Sequence, residues 1–294
     1  MLPKLVVVCV GIAGLIAAGD AAAALHGHVA VGGDVGISVM RIDGTHGRRL
    51  TKRPWDRGPA WSPNGRKIAF NRARHATKNC ACGPYDIYII GVKGRGLRRL
   101  VRSAGSAAWA PNGRVLAVDT AAGIEAINAD GTGRHVIVDH GVSPTWSPDG
   151  TRIAYAGEIV DPDIGGPTGG FVAIVNADGS GDHVIFTSPE KGMPFDPTWS
   201  PDGREIAFKR EFFTGNPGQI WAVAPTGEGL HELTGNGENP DWSPDGRHLI
   251  YDGFGPDGNY RTYIMRRDGT LRTVLRSCPK RGVCLGGGAP DWGP

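Results

Sequence analysis

From about residue 27 onward the chain alternates short β-forming apolar runs with clusters of Pro, Asp or Asn, and Gly. One phrase recurs: "PAWSPNGRKIAF" (59–70), "AAWAPNGRVLAV" (107–118), "PTWSPDGTRIAY" (144–155), "PTWSPDGREIAF" (197–208), "PDWSPDGRHLIY" (240–251), and a truncated "PDWGP" (290–294). In each full copy a Pro-Asp/Asn-Gly turn separates a Trp-bearing run from a run such as "IAF". Pro fixes φ, Asp or Asn bonds its own backbone, and Gly reaches φ > 0, so the phrase predicts a hairpin. A second phrase alternates with it: "ISVMRIDGTHGRRLT" (37–51), "DIYIIGVKGRGLRRLV" (86–101), "GIEAINADGTGRHVIV" (123–138), "FVAIVNADGSGDHVIF" (171–186), "QIWAVAPTGEGLHELT" (219–234) and "RTYIMRRDGTLRTVL" (261–275). It too predicts a hairpin, closed in most copies by Asp-Gly. No sustained helical period appears after the N-terminus.

Two hairpins per period give four strands per repeat. The motif tryptophans Trp61, Trp109, Trp146, Trp199, Trp242 and Trp292 span 231 residues over five intervals, about 46 each, a propeller-blade period. A lone four-stranded sheet cannot bury both faces, but sheets packed radially in a ring can. The expected fold is therefore all-β: a six-bladed β-propeller of four-stranded antiparallel blades. The Trp strand should be innermost and the Arg/His-rich strand outermost, with each Trp filling space between sheets. The first blade lacks a Trp strand of its own, because "HGHVAVGG" (26–33) leads directly into a second-type phrase. "PDWGP" should supply it, closing the ring from both ends of the chain.

"PxWSPDGxxIAF" followed by "DGxxxxxLT" resembles the TolB-type propeller repeat, a relative of WD-repeat propellers without their Gly-His and Trp-Asp marks. The resemblance covers roughly residues 27–292. TolB carries an α/β domain before its propeller, and no segment between Leu25 and the first blade reads as one, so functions of that domain are not expected here. Similar propellers occur in prolyl-oligopeptidase-like enzymes and oligogalacturonate lyases. A G-x-S-x-G nucleophile elbow does not occur. The resemblance implies a fold; function must come from sites.

The N-terminus reads differently. "LVVVCVGIAGLIAA" (5–18) is an apolar run of 14 followed by small residues, the pattern of a secretory signal peptide over 1–24, with the propeller over 25–294. The expected location is therefore exported: periplasmic, cell-surface or secreted. Disulfides become available there. Cys278–Cys284 closes a short loop and is the first candidate pair; cross-pairing with Cys80 and Cys82 is the alternative, and the spacings do not suit zinc.

Gly 47 and Pro 22 fit the turn count, and the net charge of +3 conceals an asymmetry. Residues 41–114 hold 17 Lys/Arg and 3 Asp/Glu, net +14; residues 115–294 hold 14 and 24, net −10. Arg48, Arg49, Lys52, Arg53, Arg57, Arg72, Arg74, Lys78, Arg98, Arg99 and Arg102 would make a basic sector on the first two blades. Edge protection explains a few cations per blade, but not why the other four blades do not share the excess. An anionic partner is expected: an acidic envelope polymer, lipid headgroups in peripheral membrane contact, or an acidic protein face. Nucleic acid is not expected, and a monomer is.

The residues preceding the motif Trp are Ala60, Ala108, Thr145, Thr198, Asp241 and Asp291. Asp241 and Asp291 should be neighbours near the axis, as ligands for a cation or amine or simply as solvated acids. His135, His183 and His231 repeat at one blade position, point in different directions and cannot share an ion; His75 and His140 are unmarked. "DPDIGG" (161–166) lacks the calcium-loop pattern. No cofactor is expected, with a channel or loop cation such as calcium left open. The longer loops should share one face, with Trp55, Phe212 and Phe213 upon it. The reading is a binding or scaffold module for a protein or anionic envelope partner. The rival is a surface lyase or hydrolase acting on acidic glycan, which would need His and Arg beside the axial acids.

Overall fold

The computed structural model describes residue 25 and residues 27–294, except 34–35, 78–79, 164, 189–191, 213–217 and 276–288; at 76–77, 80–83 and 212 it describes the main chain alone. Among the described residues twenty-four strands form six four-stranded antiparallel sheets. Blade 2 is β4 (Asp56–Trp61), β5 (Lys67–Thr77), β6 (Cys80–Gly91) and β7 (Arg98–Arg102). Blade 3 is β8 (Ala104–Trp109), β9 (Val115–Thr120), β10 (Gly123–Asn128) and β11 (His135–Val138). Blade 4 is β12 (Val142–Trp146), β13 (Arg152–Asp161), β14 (Gly166–Asn176) and β15 (His183–Thr187). Blade 5 is β16 (Gly192–Trp199), β17 (Ile206–Phe212), β18 (Gln219–Val223) and β19 (His231–Thr234). Blade 6 is β20 (Glu238–Trp242), β21 (His248–Phe254), β22 (Tyr260–Arg266) and β23 (Thr273–Val274). Blade 1 joins β24 (Asp291–Gly293) to β1 (His28–Val31), β2 (Ser38–Arg41) and β3 (Arg48–Arg49). Among the described residues no helix occurs.

The closure expected from "PDWGP" is present. Asp291 pairs with Ala30, Trp292 with Val29 and Gly293 with His28, antiparallel. The hydrophobic core is a ring of six clusters, one at each junction between neighbouring blades. Motif tryptophans enter these junctions: Trp109, Trp199, Trp242 and Trp292 are buried, Trp61 and Trp146 half-buried.

The Trp-Ser-Pro-Asp-Gly turn holds together through its serine, which is fully buried at Ser62, Ser147, Ser200 and Ser243. In blade 4, Ser147 Oγ donates to Asp149 Oδ1 at 2.6 Å and accepts the Arg152 amide at 2.9 Å. Asp149 also accepts the Thr151 amide at 2.9 Å, and Gly150 supplies φ 71°. Those hydrogen bonds, led by that from Ser147, hold the Asp149 carboxyl down at about 2. The turn acids are thus structural.

The inner strands carry a feature absent from the sequence reading. Each of β4, β8, β12, β16 and β20 slips register just before its Trp. Three residues before the Trp the backbone turns left-handed at Gly58, Ser143, Asp196, Asn239 and Ala289. Such a bulge bends a strand and re-aims its side chains. Here it recurs around the axis.

Candidate functional site

Where the inner strands meet their Ser-Pro turns, a cavity of about 310 Å³ opens on the axis. The tryptophans Trp61, Trp199, Trp242 and Trp292, the turn prolines, and Asp241 and Asp291 line it. The structure brings the two acids together as neighbours from blades 6 and 1. Both are half-buried. Asp241 Oδ2 accepts the Trp292 amide at 2.6 Å, and its Oδ1 accepts the Thr198 hydroxyl at 3.1 Å. Asp291 Oδ2 accepts the Trp61 amide at 2.6 Å. The two carboxyls face the same cavity, Asp241 gripping the amide of the residue that follows Asp291. Burial pushes Asp241 up to about 6; burial together with the charge of Asp241 pushes Asp291 well above the ordinary carboxyl range.

Three carboxylate oxygens of the pair therefore already accept protein hydrogen bonds. Among the described residues no group of three or more His, Cys, Asp or Glu side chains is placed to hold a metal ion. The cavity lining brings no His, Lys or Arg beside the two acids.

A second group of acids was missed by sequence reasoning. It stands at the entrances of the inner strands. Asp119 accepts the amides of Gly105 and Ser106 at 2.7 Å each and that of Ser143, in the next blade, at 3.0 Å. Ser143 Oγ donates to Asp196 Oδ1 at 3.0 Å, and burial raises the Asp196 carboxyl above its usual value. Lys209 Nζ lies 2.8 Å from Glu238 and 2.9 Å from Glu211. Burial works against its charge, but the two carboxylates prevail and hold it above the usual lysine value. Asp252, fully buried, accepts the Thr262 hydroxyl at 2.7 Å and the Ala289 amide at 3.0 Å. The sequence signal for Asp119 and Asp252 was available: each is an acid directly following the apolar run of a strand ("LAVD", "LIYD").

The basic sector divides in two. Arg72 is a correction: it is buried inside blade 2, its guanidinium forked onto buried Asp56 through two 2.7 Å bonds, so it offers no surface charge. Arg74 is half-buried and spent on Asp86 at 2.8 Å and Ser103 Oγ at 2.7 Å. Arg57 lies between the rings of Trp55 and Tyr85, 5.7 and 5.6 Å from their centroids. Arg53 donates to the Arg74 carbonyl at 2.8 Å. Arg48 donates to the Val92 carbonyl of blade 2, and Arg98 to the Ala129 carbonyl of blade 3, so each also stitches its blade to the next. Arg48, Arg49, Lys52, Arg53, Arg99 and Arg102 are exposed. They lie on or beside the outermost strands β3 and β7 of adjacent blades, forming one cationic wall. The three acids of this stretch are all engaged within the fold: Asp43 with Thr45, Asp56 with Arg72, and Asp86 with Arg74 and Arg99.

His135, His183 and His231 sit on β11, β15 and β19, each bonded to the carbonyl two residues earlier. In "DPDIGG", Asp161 accepts the Asp163 amide at 2.8 Å as a local turn. Trp55 is half-buried, with left-handed φ 65°. Lys78, Phe213, Cys278 and Cys284, and the side chains of Cys80, Cys82 and Phe212, lie outside the described residues.

With this geometry in hand, no family model matches the chain. The Tol-Pal system protein TolB of Rhizorhabdus wittichii is 36% identical over 64 residues, which are 22% of this chain and 13% of that protein's length. The chain is thus matched to only a small part of that relative. The crystal structure of TolB from Acinetobacter baumannii superposes with TM-score 0.71 at 17% identity, over 91% of this chain and 67% of that one. The putative TolB from Agrobacterium tumefaciens gives 0.66 at 18%, over 90% and 92%. In fold, the chain is a TolB-like six-bladed propeller. An oligogalacturonate lyase in complex with manganese shares the fold less closely, with TM-score 0.54 at 15% identity over 76% of this chain and 66% of that one. TolB-like propellers thus stand beside enzymes in fold space, and the fold alone does not choose between binding and catalysis.

Proposed function

We propose that this TolB-like propeller is an exported, non-enzymatic binding module that docks an acidic partner protein of the cell envelope on the cationic wall of blades 1 and 2. The observation that carries the reading is the fate of the acids. Asp56 and Asp86 are buried against arginines and Asp43 alone stays exposed, while Arg49, Lys52, Arg99 and Arg102 remain exposed on or beside adjacent outer strands. A surface field of one sign on a rigid scaffold accelerates and orients encounter with an opposite field. The likeness to a Tol-Pal system protein supports an envelope setting. The rival lyase reading is weakened by an axial cavity whose acids have no base or guanidinium beside them.

The test is capture of envelope proteins on the immobilised chain at low and high salt, compared with the Arg49→Glu/Arg99→Glu/Arg102→Glu variant. The wild type should retain an acidic protein that salt releases steeply, with a length scale of about 8–10 Å in physiological buffer; the variant should not. Equal capture by both, or capture indifferent to salt, would refute the proposal. Retention of anionic vesicles or polymer in place of a protein would transfer the wall to that partner and refute the protein assignment.

A further inference from the structure

The ring closes where β24 meets β1, through three registered residue pairs. Side chains add the rest of the grip. Asp241 of blade 6 takes the Trp292 amide, Asp252 of blade 6 takes the Ala289 amide, and Asp291 on β24 takes the Trp61 amide of blade 2. The Asp291–Trp61 bond bypasses the β24–β1 junction and ties the closing strand directly to β4. Asp241 and Asp291 line the same cavity wall, at the repeat position where one blade earlier Thr198 and Asp241 meet side chain to side chain at 3.1 Å.

Two carboxyls held side by side can share a proton. With both groups ionised they would instead repel as neighbouring like charges, in a setting that already penalises charge. We propose that the Asp241–Asp291 pair is a proton-held clasp on ring closure, so that the closing strand is gripped more firmly in mild acid than above neutral pH. The axial cavity gives water, and therefore protons, a route to the pair.

The sign follows from where the proton is held. In the unfolded chain both carboxyls titrate near their ordinary values, about 3.9. In the fold Asp241 is raised to about 6 and Asp291 is raised well above the ordinary carboxyl value. Between these limits the folded state binds more protons than the unfolded state, so stability falls as pH rises through that window. The contribution is complete below the unfolded value and gone above the folded ones. The groups facing the pair are the Thr198 hydroxyl from β16, the amides of Trp61 and Trp292, the Trp242 amide on Asp241's own strand, and the two acids themselves. His28 and His248 stand one ring further out, 6.1 Å from the Trp61 ring and 6.5 Å from the Trp292 ring, and burial lowers the His248 value.

The experiment follows thermal unfolding of the full chain from about pH 4.5 to 8, for the wild type and Asp291→Asn, with infrared detection of protonated carboxyl. The carboxamide can donate to Asp241 at every pH while its oxygen still accepts the Trp61 amide, so it mimics the protonated clasp. The wild-type Tm should fall by several degrees more than that of D291N over this range. The wild type should also keep a protonated-carboxyl band at neutral pH that D291N lacks. Parallel Tm profiles, or a wild type without that band, would overturn the clasp. If D291N does not fold, the band is compared between the wild type and Asp241→Asn, because buried Asp196 can also contribute to it; a band unchanged in that variant overturns the clasp.

Discussion

Blade 1 and blade 4 do the same job in the ring with very different material. Blade 4 is one continuous stretch, and β13 and β14 are 10 and 11 residues long. Blade 1 is assembled from both ends of the chain, and its β24 and β3 have 3 and 2 residues. The burial is nevertheless similar: Val29 and Ala30 of blade 1 are as inaccessible as Ile153 and Tyr155 of blade 4. The extra length of blade 4 projects beyond the ring as a hairpin bearing exposed Val160. Ladder length is therefore not what holds the ring. Blade 1 makes up for its short ladder with carboxylates that grip main-chain amides, at inner-strand positions where blades 2, 3 and 4 carry Ala60, Ala108 and Thr145.

The sharpest way to break this comparison is to cut both blades. Deleting residues 289–294 removes β24, unpairs β1 and strips Trp292 from the junction of blades 6 and 1. The loss should be at least about 5 kcal/mol, comparable to a domain's whole net stability, with cooperative thermal unfolding lost. Replacing residues 160–167 of the blade 4 hairpin by Asn-Gly should cost less than about 1 kcal/mol, since loop length is a weak term. Calorimetry on the two variants decides; similar losses would mean that the seam is not special.

A single methyl should also separate the seam from the surface. A Cβ at Gly293 would overlap the Trp61 indole, whereas one at Gly47, between β2 and β3, meets nothing within 4 Å. Gly293→Ala should therefore cost about 2–3 kcal/mol through overpacking, and Gly47→Ala should lie within about 0.5 kcal/mol of wild type. Denaturant midpoints measured side by side test the pair.

These contrasts show what was legible beforehand. The six Trp phrases, their turns and the incomplete last copy carried the blade count, the closure and the adjacency of Asp241 and Asp291, because each repeats at a fixed interval. The repeated bulge was not legible. Its left-handed step, three residues before the Trp, is occupied by Gly58, Ser143, Asp196 and Asn239, with Ala289 at the equivalent place before β24, and a backbone conformation imposed by the ring leaves no shared residue type. Arg72 was misread for a related reason. Its partner Asp56 lies 16 residues away in "PWDRG", which looks like a turn but is the first residue of β4. Pairing across strands decides whether an arginine is surface charge or buried fork, and spacing along one strand does not report it.

Asp252 and Asp119 let the seam be compared with an ordinary junction at matched chemistry. Each is a β-strand acid that accepts an amide at the next blade's entrance: Asp252 from Ala289, Asp119 from Ser143. Either one replaced by Ala strands partly buried donors and should cost about 2 kcal/mol. Only Asp252→Ala should hasten amide exchange at residues 291–293, because only there is the strand held without a continuous blade behind it. Faster exchange over β12 in Asp119→Ala, of similar size, would erase the distinction.

The smallest effect of removing a side-chain clasp belongs to a polar cross-link between blades 3 and 4. The Tyr155 hydroxyl donates to Asp182 Oδ1 at 2.5 Å and lies 2.9 Å from His140 Nε2, a residue in the loop that leaves blade 3. Burial and the Asp182 charge push the phenol well above its ordinary value, so it stays a donor throughout the working pH range. Tyr155→Phe keeps the ring, with its edge contacts to His140 and Phe171. It removes only the hydroxyl, and His140 Nε2 already lies 3.5 Å from Asp182 Oδ2. Both partners are partly exposed, so water and each other can satisfy them. The cost should be about 1 kcal/mol, with no change in exchange at the seam. A loss as large as that of Asp252→Ala would show that junctions within the continuous chain depend on side-chain clasps as heavily as the closure does.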